Sequence, residues 1–127
     1  MSDPARPAPT GPSPDLPPDA DLITLPDVAE LLGLPITKVH QLIRDGKLIT
    51  VPDAQGRRAM PRIFVAAGSP LKGLAGVITL LRDGGYSDAE VVAWLLRADD
   101  TLPGTPAQAL AENRGTEVKR RAQAAGF

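Results

Sequence analysis

Thr24 to Leu48 reads TLPDVAELLGLPITKVHQLIRDGKL, and its punctuation predicts two short helices about a tight turn. Thr24 is a good N-cap, Pro26 suits a first helical turn, and Asp27 completes a Thr-x-x-Asp capping pattern. Gly33 supplies the C-cap, while Val28, Leu31 and Leu32 recur at helical spacing on one face. After Gly33-Leu34-Pro35 a second helix is expected from about Ile36 to Asp45, stopped by Gly46. Ile36, Val39, Leu42 and Ile43 then point inward, which leaves Thr37, Lys38, His40, Gln41 and Arg44 free.

The next segment changes character. Leu48-Ile49-Thr50-Val51 and Arg58 to Val65 carry β-branched residues around Pro52-Asp53-Ala54-Gln55-Gly56, the pattern of a hairpin with a loop of about five residues. Arg57 and Arg58 flank its tip. Pro61 in the return strand points to an edge strand or a bulge, because proline cannot donate to a ladder. From Ser69 onward only helices are expected. Ser69-Pro70 opens one that ends at Gly84-Gly85, with Leu74, Val77, Ile78 and Leu81 on a stripe. Ser87 with Glu90 forms a capping box for the next, with Tyr86 placed to staple onto Val91. Thr105-Pro106-Ala107-Gln108 starts a third, and Thr116 a fourth running to Ala125. The fold class expected is therefore mainly α with a small β-hairpin: a winged helix-turn-helix over residues 22–68, then a C-terminal helical subdomain over 69–127.

Residues 1–21 hold seven of the fourteen prolines and are expected to form a disordered, acidic tail, since so few apolar groups cannot offset the entropy of ordering. Thr10 lies in it, and its phosphorylation would add about two negative charges near a basic surface.

Charge is distributed unevenly. Ile36 to Lys72 carries Lys38, Arg44, Lys47, Arg57, Arg58, Arg62 and Lys72 against Asp45 and Asp53, a local +5 in a chain whose net charge is −1. A local positive field attracts polyanions whatever the total charge, although a solvated face has the same composition. Spacing sharpens the reading. Thr37, Lys38, Gln41 and Arg44 fall at i, i+1, i+4 and i+7, on one side of a helix that fits the major groove of DNA. Gln pairs with adenine, Arg and Lys with guanine, and Thr with phosphate or a thymine methyl. Lys47, Arg57, Arg58 and Arg62 would add phosphate or minor-groove contacts.

Leu25-Pro26-Asp27-Val28-Ala29-Glu30-Leu31-Leu32-Gly33-Leu34, followed by Val39 to Leu48, resembles the excisionase and MerR-type winged helix-turn-helix. With Ser87-Asp88-Ala89-Glu90-Val91-Val92-Ala93-Trp94-Leu95-Leu96 added, the whole chain resembles actinobacterial DNA-binding proteins linked to serine/threonine kinase signalling in mycobacteria. That resemblance implies double-stranded DNA as a partner, transcriptional or nucleoid-associated binding, and a Ser/Thr protein kinase acting on the tail. It places Lys38, Gln41 and Arg44 at recognition-helix positions.

Other classes find little support. The chain has no cysteine and one histidine, which does not build a metal site, and neither a phosphate-binding Gly loop nor a nucleophile elbow is present. Asp99 and Asp100 would diverge at a helix end. No enzyme and no cofactor are expected. The absence of a long apolar stretch or a signal peptide leads to the expectation of a cytoplasmic protein without membrane partners. Val91, Val92, Leu95 and Leu96 form an apolar face beside Trp94, which either packs on the winged domain or serves a homodimer. The alternative function is an adaptor, in which the C-terminal helices bind a protein, as in the faintly antitoxin-like stretch Ala93–Leu110, and the basic face is incidental.

Overall fold

The computed structural model describes residues 16, 20–98 and 104–125. Thr10, Asp99 and Asp100 lie outside the described residues. Within them the order is β1 (Leu22–Thr24), α1 (Leu25–Leu32), α2 (Ile36–Arg44), β2 (Val51–Pro52), β3 (Arg58–Pro61), a 3-10 turn (Arg62–Phe64), α3 (Leu74–Asp83), α4 (Asp88–Leu96), α5 (Pro106–Ala111) and α6 (Gly115–Ala125). The protein is mainly helical, with a winged helix-turn-helix followed by a C-terminal helical domain.

The sheet has three strands, one more than the sequence suggested, in the order β1-β3-β2 with both pairs antiparallel. Leu22-Ile23-Thr24 is the added strand, and Ile23 buries against Met60 opposite it. This makes β3 the central strand and not an edge strand as a whole, with Pro61 at its end, past the reach of β2. The reason it is tolerated is local. Arg62 N–H donates to Asp21 C=O at 2.8 Å, toward β1, so the preceding amide position points the other way. On that side β2 has already ended, pairing only with Arg58 and Ala59. No ladder bond is lost.

The caps sort in the same way. Gly33 at φ 65° closes α1, with Leu34 N–H donating to Ala29 C=O at 3.0 Å. Thr24 takes the N-cap position but makes no side-chain cap bond, so the Thr24–Asp27 capping pattern does not form. The Ser87–Glu90 and Thr105–Gln108 boxes do form, each with reciprocal side-chain bonds. Helix α3 starts later than Ser69-Pro70 suggested. Leu71 N–H donates to Phe64 C=O at 2.8 Å, which holds the chain in a turn until Gly73, whose φ of 85° admits the helix.

One hydrophobic core runs through both halves. Ile23, Val28, Val39, Leu48, Ile49, Met60 and Phe64 join Leu74, Ile78, Leu81, Leu95 and Val118 in a single cluster. Leu16, expected in a disordered tail, is buried in the same cluster. Two inward assignments fail: Leu31 is 37% exposed and Ile36 is 40% exposed, and with Leu34 they leave an apolar patch around the helix-turn-helix corner. Both sit at helix ends, where the chain turns away from the core. Val91, Val92 and Leu95 are buried, while Trp94 and Leu96 are half-buried against the core.

Candidate nucleic-acid interface

Helix α2 exists because Pro35 fixes φ at −63° just ahead of it and Val39 anchors it, fully buried, with Leu42 and Ile43 half-buried beside it. The remaining arc is polar. Thr37, Lys38, Gln41 and Arg44 are all exposed. Among the described residues Lys38 and Arg44 are held in no ion pair, so both cations face solvent uncompensated. His40 is half-buried on the flank. Pro35 offers no side-chain acceptor as N-cap, which leaves the first-turn amides of α2 without that partner.

Asp45, which the sequence reading passed over, belongs to this face. It caps α2 and lines a shallow groove of about 210 Å³ with Leu34, Lys38, Gln41 and Leu42. A carboxylate here adds an acceptor to a row of donors. Lys47 follows in the exit turn, exposed, its N–H donating to Leu42 C=O at 2.9 Å.

The β2–β3 loop is built around Asp53, which is buried although charged. Its Oδ1 accepts from Gln55 N–H and Arg57 N–H, both at 2.9 Å, and its Oδ2 lies 3.0 Å from Arg57 Nε. Burial pushes the Asp53 carboxyl pKa up, but the two amides and the Arg57 guanidinium outweigh it, and the net result lies below the usual carboxylate value. Gly56 completes the loop at φ 79°, a conformation that favours glycine. Arg57 is therefore folded back, with Nη2 also donating to Gln55 Oε1 at 3.1 Å. Arg58, next along β3, is exposed and in no ion pair among the described residues. Arg62 sits at the other end of β3, 2.9 Å from Asp21, and lines a depression with Leu96, Thr105 and Gln108 of the helical domain. The structure does not bring Arg62 to the loop tip with Arg57 and Arg58.

These two halves match two adjoining family models. One, described as the wHTH domain of DNA-binding protein Rv2175c, matches residues 13–65. The other, described as the Rv2175c C-terminal domain of unknown function, matches residues 71–126. The chain belongs to the Rv2175c family. A member of the Rv2175c family, the protein of Mycobacterium tuberculosis named DNA-binding protein Rv2175c, is 40% identical over 124 residues, covering 88% of this chain and 85% of that one. The solved NMR structure of Rv2175c matches with a TM-score of 0.79 at 39% identity, covering 94% of this chain and 89% of the other. The two-part order read from the sequence is thus the order of the Rv2175c family.

Among the described residues no group of three His, Cys, Asp or Glu gathers where a metal ion could sit, and no helix is long and apolar enough to cross a membrane.

Proposed function

We propose that the protein binds double-stranded DNA, with α2 in the major groove and the β2–β3 loop as a wing on the flanking backbone. The observation that carries this reading is the polar face of α2, whose cations are in no ion pair among the described residues: Thr37, Lys38, Gln41 and Arg44, exposed together in a family whose named member is a DNA-binding protein. Arg44 and Lys38 can donate to guanine or phosphate, Gln41 to adenine, and Asp45 can accept from cytosine N4. Arg58 and Lys47 supply phosphate contacts, while Arg57 shapes the wing through Asp53. Arg62, in the depression beside Leu96 and Thr105 at the far end of β3, has no part in this reading. The base-directed groups make the binding sequence-dependent, suited to a transcriptional regulator or a nucleoid-associated protein. Phosphorylation of Thr10 by a Ser/Thr kinase would add charge of the wrong sign for DNA and weaken the complex. A homodimer through the C-terminal helices would combine two half-sites.

A salt titration of affinity for a short duplex tests the proposal. Lys38, Arg44, Lys47 and Arg58 should contribute about −3.6 to the slope of log affinity against log salt, which alone amounts to about a 150-fold loss between roughly 50 and 200 mM. A flat response would contradict it. The second reading, a protein-binding adaptor, is favoured by the apolar patch of Leu31, Leu34 and Ile36, and it expects that flat response.

A further inference from the structure

The end of α3 reaches the exit of α2. Helix α3 buries Leu74, Val77, Ile78 and Leu81, which leaves Arg82 in its last turn on an outer face. From there the guanidinium extends back to the winged domain: Nη1 lies 3.8 Å from where a Cβ on Gly46 would stand. Gly46 is in the turn between Arg44 and Lys47, so a cation of the C-terminal domain sits beside two cations of the α2 face.

Arg82 is also held in place. Asp88 Oδ1 accepts from Arg82 Nε at 3.0 Å and from Nη2 at 2.9 Å. Asp88 is the first residue of α4, where the positive end of the helix dipole favours its charge. Both bonds leave Nη1, the nitrogen beside Gly46, with no hydrogen-bond partner among the described residues. An ion pair with side chains 38% and 52% exposed contributes little to stability. Its evident effect is to fix one long side chain, which lowers the entropy lost when that side chain meets a ligand.

We propose that Arg82 is a DNA-phosphate contact supplied by the C-terminal helical domain, oriented by Asp88 and extending the α2 footprint past its exit turn. The inference rests on the DNA-binding reading above. It gives this domain a part in the interface: it carries a preset cation to the edge of the recognition helix.

Salt titrations of the full chain with a short random-sequence duplex test it, run on wild type, Arg82→Ala, Arg82→Lys and Arg97→Ala, with thermal unfolding of each. Arg97 follows the far end of α4 and controls for loss of one positive charge anywhere. Arg82→Ala should bind about 5- to 10-fold more weakly at roughly 0.1 M salt, with a slope shallower by about 0.9. Arg82→Lys should keep the wild-type slope, and Arg97→Ala should behave as wild type. A wild-type slope in Arg82→Ala, with or without a lower melting temperature, overturns the inference. So does an equal loss in Arg97→Ala. A flat response in the wild type itself counts against the DNA-binding reading, so the two failures are distinguishable.

Discussion

Replacing Lys38, Arg44 and Arg58 together by alanine is expected to weaken duplex binding by about 500-fold at roughly 0.1 M salt, since each lost phosphate contact removes about 0.9 from the salt exponent. The size of the effect follows from the state of these three groups. All are exposed, and none is in an ion pair among the described residues, so their full charge is available to phosphates. Arg57 is left out of the set because its guanidinium and N–H close the β2–β3 loop on Asp53, so its loss would disturb the wing as well as remove a charge. The same exposure predicts that the triple variant folds normally, since surface substitutions away from caps and networks usually change stability by less than about 0.5 kcal/mol. Fluorescence anisotropy across a salt series, with circular dichroism as the folding control, measures both. A well-folded variant losing less than about tenfold would mean that the α2 face and the wing are not where the polyanion sits.

Phe64→Ala is expected to destabilise the protein by about 3–5 kcal/mol, the usual range for a fully buried phenylalanine. In a chain of this size that corresponds to a fall of about 10–20 °C in melting temperature. Phe64 is completely inaccessible and is among the largest fully buried side chains in a core otherwise made of aliphatic groups. It occupies the 3-10 turn between β3 and the helical domain, and its carbonyl holds Leu71. Few neighbours can move to fill the space it would leave, because both halves of the chain pack around it. Calorimetry should therefore show one transition in wild type and one, shifted, in the variant. Two separated transitions would contradict a core shared by the two domains.

Much of the helical framework was legible because its signals are local. A capping box needs only residues three apart, and Ser87–Glu90 forms as expected, while the helix start expected at Thr105 is there with a capping box of its own. Gly33 needs only its own positive φ. What escaped depends on contacts distant in sequence. Leu22-Ile23-Thr24 is too short to announce a strand until β3 is there to pair with it. Pro61 suggested an edge strand because the sequence does not show that β1 pairs with the other side of β3. Ile36 and Leu31 have the right spacing for burial and the wrong position, at helix ends beyond the reach of the core.

The candidate site divides along the same line. Thr37, Lys38, Gln41 and Arg44 share a face by helical geometry alone, so spacing was enough to select them. Asp45 stands on the same side one residue past the helix, and a search for cations passes over an acid. For Arg82 there was no local signal at all, since its approach to Gly46 is a tertiary contact. Arg57 and Arg62 illustrate the converse: a cation near the wing in sequence need not face outward from its tip, since Arg57 folds back onto Asp53 and Arg62 lies at the other end of β3.

Backbone amide mapping by NMR, with isotope-labelled protein titrated with a short duplex at low salt, decides whether DNA lies against α2 and the wing. Perturbations should concentrate from Thr37 to Lys47 and at Arg58, fading as salt is raised. Perturbations confined to the α3–α6 surface away from Arg82, or none at all at concentrations that give a salt-sensitive complex, would contradict that placement.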